Sequence, residues 1–227
     1  MPSFLPETDI QSAAQDVLKS YERKYGRIIR HVPVDDIIEQ HLGIHLEIFD
    51  NERLPVSYHN EILGYIDLHA NSIGIHESIL PENTGNEERY HFTLGHEAGH
   101  YVLHREEILV SAGQFSCFED SPSISEKTER DYSSIEWQAD CFSGHFNMPD
   151  NLVHCYWKEL RGNYQTATFA EIVQMFSEQS RSRYEPEVLV EIYLKQIAKD
   201  MKVSSKALLI RLKRMGLIME QEQSVAA

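Results

Sequence analysis

The chain has 227 residues, 41% hydrophobic and 25% charged, with 21 basic against 36 acidic side chains and a formal charge of −15. That length supports a buried core, in one large domain or two small ones, and so acidic a surface argues against non-specific binding to a phosphate backbone. Cys117, Cys141 and Cys155 lack any C-x-x-C spacing and are odd in number, so no disulfide framework is expected.

The opening "MPSFLPETDI" has neither the basic nor the apolar region of a signal peptide. No apolar run approaches the roughly 18 residues that a membrane span needs. The expectation is a soluble, cytoplasmic protein.

In chain order, Ile10, Ala13, Ala14, Val17, Leu18 and Tyr21 have helical spacing over 9–25, with Thr8 or Asp9 as cap. A short helix follows Pro33 and stops at Gly43, and a strand runs from Ile44 to Phe49. Two more strands are expected near 61–67 and 72–76, turning at Ala70–Asn71. Pro81, Asn83 and Gly85 mark a turn, and a helix over about 87–104 begins with Asn86 as cap. Residues 105–132 read mostly as loop, with a short strand near Ile108–Ser111. Helices are predicted over 133–146, 149–161, 168–180, 186–200 and 204–214.

Within the 87–104 helix, His96-Glu97-Ala98-Gly99-His100 is H-E-x-x-H. Residues four apart share a helix face, so both imidazoles reach one ion. Zinc suits two neutral imidazoles, a carboxylate and an open position. Glu97, one residue round from His96, is placed as general base toward water. Phe92, Leu94, Ala98 and Leu103 are available to bury the helix. Gly95 and Gly99 cost about 1 kcal/mol each relative to Ala, which makes sense where another element packs closely.

The third ligand is less determined. The class with glycine and histidine at spacings of three after the second histidine is excluded, because Leu103 and Glu106 stand there. In "SSIEWQADCFSGHFNMP", Ile135, Ala139, Phe142 and Phe146 form an apolar line while Glu136 and Asp140 share another side. That suits a ligand carboxylate and a second acid holding an imidazole by its other N–H. Equally, Ser133 to Glu136 fits a capping box, in which Glu136 only caps its own helix. Glu106, Glu107, Glu119 and His145 are the other ligand candidates. His145, Tyr101 and Tyr132 are candidate oxyanion donors. His91 reads as structural. His104, four residues after His100, also reads as structural, since three successive helical turns cannot all meet one tetrahedral ion, with a catalytic or ligand-supporting role as its alternative.

Taken together, "VPVDDIIEQHLGIHLEIF", "ILGYIDLHANSIGIHESI", "RYHFTLGHEAGHYVLH", "IEWQADCFSGHFNMP" and "IAKDMKVSSKALLIRLKRMGLI" resemble, in that order, the segments of the ImmA/IrrE-type zinc metallopeptidases of bacteria and their mobile elements. The resemblance implies His96, His100 and Glu136 as metal ligands, Glu97 as catalytic base, and a helix-turn-helix transcriptional repressor as the protein substrate. Ser143 and the pair Phe146-Asn147 depart from the family's usual residues.

Residues 195–214 carry seven Lys or Arg against Asp200 alone and read as helix, turn, helix, with Leu208, Leu209, Leu212 and Met215 on one face and Gly216 ending the second helix. DNA binding through 195–214 and packing against protein are both open, and the overall acidity favours packing. The expectation is an α+β fold, a small mixed sheet packed on the H-E-x-x-H helix in a zincin-like way, followed by a helical, helix-turn-helix-like C-terminal region. The domains are 1–165 for a gluzincin-like, single-zinc metallopeptidase and 166–220 for the extension, with manganese as the alternative ion and Asp140 orienting a ligand. The alternative function is a DNA- or partner-binding regulator whose metal site is structural. An exposed edge strand near Ser72–His76 is expected to bind substrate.

Overall fold

The computed structural model describes residues 4–53, 62–111, 126–180 and 185–219. The chain folds as two compact units, Met1–Ile28 with Val32–Asn147, and Ile29–His31 with Met148–Ala227. The fold is mixed α+β.

In the first unit, α1 (Glu7–Tyr25) follows Pro6. Thr8 and Asp9 therefore sit inside its first turn rather than capping it, where Asp9 still meets the positive end of the helix dipole. Ile10, Ala14, Leu18 and Tyr21 form its buried line. α2 (Val34–Asp36) runs into a π-helical turn, Ile37–His41, and Gly43 at φ 70° leads into β1 (His45–Phe49). β2 (Gly64–Asp67) and β3 (Ser72–His76) are a hairpin turning at Asn71, whose φ of 54° is one that asparagine tolerates.

The sheet order is β1-β3-β2, with β1 parallel and β2 antiparallel to β3. This corrects the expected docking edge at Ser72–His76. That segment is the central strand, buried at every position, and both its ladders are already taken. Its continuous Ser-Ile-Gly-Ile-His sequence is that of a strand covered on both faces.

α3 (Pro81–Thr84) ends at Gly85, φ 65°. α4 (Glu88–Ser111) opens where Asn86 accepts a hydrogen bond from the Glu88 N–H at 2.8 Å. It continues through Ser111, where the sequence suggested a loop and a short strand; Arg105, Glu106 and Glu107 are good helix formers and carry it on. α5 (Glu126–Asn147) likewise begins before the expected 133. Ser133 is thus inside a helix, and Glu136 does not cap one.

α4 and α5 pack closely through the two glycines. A Cβ on Gly95 would lie 2.5 Å from Asn147 Nδ2 and 2.7 Å from Ser143 Oγ, and one on Gly99 would lie 3.2 Å from the Ala139 backbone. Two of the three unusual residues of the resemblance make hydrogen bonds in this packing. Ser143 donates to the Phe92 carbonyl at 2.9 Å and Asn147 to the His91 carbonyl at 3.2 Å. Leu94, Ala98, Ala139, Phe142 and Phe146 are fully buried, whereas Phe92 is 44% exposed, against expectation.

In the second unit, α6 (Asp150–Arg161) buries Leu152, Val153, Tyr156 and Trp157 and ends at Gly162, φ 74°. β4 (Ala167–Thr168), α7 (Phe169–Ser180), α8 (Pro186–Asp200), α9 (Ser205–Arg214) and β5 (Ile218–Met219) follow. Thr168 and Glu171 form a reciprocal capping box at 3.1 and 2.8 Å. β4 pairs with β5 in parallel, a bridge that two residues each cannot announce in sequence. Between α8 and α9, Lys202 takes φ 58° and Ser204 caps α9 through the Ala207 N–H at 3.0 Å.

Candidate metal centre

α4 and α5 bring His96, His100 and Glu136 together. The two histidines are one helical turn apart on α4, and Glu136 faces them from α5. His96 Nε2 lies 3.1 Å from Glu136 Oε2 and 3.1 Å from His100 Nε2, and His100 Nε2 lies 3.3 Å from Glu136 Oε1. Ligands about 2.0–2.1 Å from a tetrahedral zinc stand about 3.3 Å from each other, so the triangle already has the edge of such a coordination shell.

The outer partners decide which ring nitrogens point inward. His96 Nδ1 is 2.9 Å from Asp140 Oδ1, a contact that keeps a proton on Nδ1. His100 Nδ1 is 3.2 Å from His104 Nδ1. With Nδ1 of His96 protonated, its Nε2 faces His100 Nε2 at 3.1 Å and the Glu136 carboxylate at 3.1 Å. Burial works against the charged form of His96, but hydrogen bonds to Asp140 and Glu136 and the charge of Glu97 outweigh it and raise its pKa to about 10. Burial would raise Glu136 as well, and its bonds to His100 and His96 instead bring it down to about 2. Two imidazoles and a carboxylate with these spacings fit a divalent ion by donor chemistry and by distance.

Glu97 is only 7% exposed. Burial raises its carboxyl pKa, and the charges of His100 and His96 partly offset the rise. β2 closes over it: a Cβ on Gly64 would come within 3.0 Å of Glu97 Oε1 and 2.5 Å of Thr93 Cγ2. Only a glycine permits that approach.

Among the other candidates, Tyr101 accepts a hydrogen bond from Arg105 at 2.5 Å, and Glu106 is exposed. His145 pairs with Glu7 at 3.3 Å instead of joining the triangle. Glu119 lies outside the described residues, as do the side chains of Glu107 and Tyr132. Sequence reasoning put one contributor second and missed another. His104, read as structural with a role beside the site as the lesser alternative, lies with Nδ1 3.2 Å from His100 Nδ1. Gly64, on a strand far away in sequence, gave no signal.

No curated protein matches the chain. A Mycobacterium tuberculosis transcriptional regulator of known structure aligns with 92% of this chain and 52% of its own, at 11% identity and a TM-score of 0.47. The chain thus spans about half the length of that protein. No described helix is long and apolar enough to cross a membrane. The IrrE N-terminal-like domain of the M78 peptidases matches residues 56–213, a stretch that takes in β2, β3, α4 and α5 with all of His96, Glu97, His100, Glu136 and Asp140, and the chain belongs to that metallopeptidase family.

Proposed function

We propose that the protein is a zincin-like peptidase that cleaves a helix-turn-helix repressor at one site, using a single zinc ion held by His96, His100 and Glu136. The convergence of those three donors at 3.1–3.3 Å beside a buried carboxyl carries the reading. When bound, zinc supplies a Lewis acid that polarises the scissile carbonyl and acidifies water; manganese would serve the same way.

The chain's own residues do the rest. Asp140 fixes the His96 tautomer by accepting from Nδ1, and His104 orients His100, so both Nε2 atoms stay free to bind. Glu97, with its carboxyl pKa raised by burial, takes a proton from water at a carboxylate oxygen and returns it to the departing amide nitrogen. β2, which pairs only with β3 among the described residues, offers its outer edge to an extended substrate, with Gly64 keeping that edge close to Glu97.

The assignment of 1–165 to the peptidase and 166–220 to a helical extension is part of this proposal; the compact units themselves divide after Asn147, leaving α6 with the later helices. In the extension we favour protein contact over DNA contact. Arg211 is 7% exposed and spends its guanidinium on Asp150 at 2.5 Å and on the Met148 carbonyl at 3.3 Å. It is therefore withdrawn from any phosphate.

The test incubates wild type and Glu97→Gln, each loaded with zinc, with the repressor encoded beside the gene. Cleavage to two defined fragments by wild type alone is expected. Equal binding of the repressor without cleavage would replace the peptidase with a sequestering partner. DNA binding lost on mutating Lys206 would point to a regulator.

A further inference from the structure

A second group of metal-type donors lies outside that centre. Cys141 and His145 are four apart on α5, hence on one face, and Glu7 reaches them from the first turn of α1. One donor atom from each lies within 4.8 Å of the other two. Glu7 Oε1 and His145 Nε2 are 3.3 Å apart, again the edge of a tetrahedral zinc shell. A thiolate at about 2.3 Å from zinc would stand about 3.6 Å from the other ligands. The sulfur thus needs to close by about 1.2 Å at most, within reach of rotation about its Cα–Cβ bond.

We propose that Glu7, Cys141 and His145 form a second zinc site, distinct from the His96–His100–Glu136 centre. Cys141 and His145 are 7% and 5% exposed, while the Glu7 side chain is 45% exposed. The site is therefore a buried group of soft and borderline donors with one solvent-facing ligand, Glu7. Sulfur and imidazole select zinc-like ions over magnesium or calcium. Independent contacts hold Glu7 in place. The Leu5 N–H donates to Gln138 Oε1 at 3.3 Å, and Phe4 stacks on Trp137 with ring centroids 5.7 Å apart. Both tie the chain just before Glu7 to α5.

An ion here clasps α1 to the helix that carries Glu136 and Asp140. Its binding free energy becomes folding free energy of the first unit. The rival account is plain packing: a half-exposed ion pair of small value next to a buried cysteine acting as a small apolar side chain.

The sulfur makes the two sites spectroscopically distinct, because the active centre has none. In a Cys117→Ser/Cys155→Ser chain, Cys141 is the only thiol. Titration with cobalt(II) should produce a near-ultraviolet thiolate-to-cobalt charge-transfer band. The band should survive His96→Ala/His100→Ala and vanish in Cys141→Ser. Zinc content measured by atomic emission should be two per chain, falling to one in His96→Ala/His100→Ala. Glu7→Gln changes an exposed residue and leaves the core intact; it should weaken the cobalt affinity read from the band by about tenfold or more, whether or not Cys141→Ser folds. A titration with no charge-transfer band, together with zinc content that drops from one to none in the double histidine variant, would overturn the proposal.

Discussion

The two units bury polar groups to opposite ends. Among the described residues, the first buries five imidazoles, at His76, His91, His100, His104 and His145, and the Glu97 carboxyl as well. Among the described residues of the second, Thr168 and Arg211 are the buried polar side chains, and both serve the fold: Thr168 caps α7, and Arg211 binds Asp150 and the Met148 carbonyl. Buried polar groups are costly unless partnered. In the second unit one pair caps a helix locally and the other ties α9 to the start of α6. In the first, the partners form a chain, Asp140 to His96 to His100 to His104, that runs past the Glu136 carboxylate. Such a chain gathers donors whose chemistry fits a cation.

The comparison breaks most visibly at Glu97. Glu97→Gln should lower kcat by about 10²–10⁴ while zinc content and Tm hold, since a neutral amide is no harder to bury than a carboxylate; a fall in Tm with zinc lost would make Glu97 a structural residue. Next in size is Asp140→Asn, which should weaken zinc affinity by about 10–100-fold, measured by competition with a chromophoric chelator. An unchanged affinity would show that the His96 tautomer needs no holding.

The second unit supplies the control. Asp150→Ala leaves a buried guanidinium without its carboxylate and should cost about 2 kcal/mol in urea unfolding, a figure reduced from that of a fully buried pair because the Asp150 side chain is 38% exposed. Zinc affinity should not change; if it does, the two interiors are energetically coupled.

The gentlest change per step is the pH slope of metal binding. Metal-free His96 holds its proton up to about pH 10, so zinc must displace that proton over the neutral range. Affinity should rise about tenfold per pH unit from 6 to 8. Calorimetry in buffers of different ionisation enthalpy should count one proton released. A flat profile would mean that His96 is neutral before the metal arrives.

Much of this was legible in sequence because it is local. The periodicity of α1, α6, α7, α8 and α9, the spacing of His96 and His100, and the turn glycines Gly43 and Gly216 all act within a few residues. Gly95 and Gly99 even signalled a close neighbour, though not which one. The errors came where local signals were weak or double-edged. The polar stretch after His104 looked like loop because polarity fits both a loop and a solvated helix. Ser133 to Glu136 stayed open between cap and ligand on local sequence, because a capping-box pattern can also occur inside a helix.

The sequence by itself determined the family, the α+β composition and the shared face of His96 and His100, since four-residue spacing on a helix sets a face without help from the rest of the chain. Only the tertiary structure decided the rest. It took Glu136 away from a helix start by beginning α5 at Glu126 and set it 3.1 Å from His96. It made Ser72–His76 the middle of the sheet instead of its edge, turned His104 from a bystander into the partner of His100, and set Gly64 over Glu97. Each of these depends on which surfaces meet when separate elements pack, and side-chain spacing along one element carries no information about its distant neighbour.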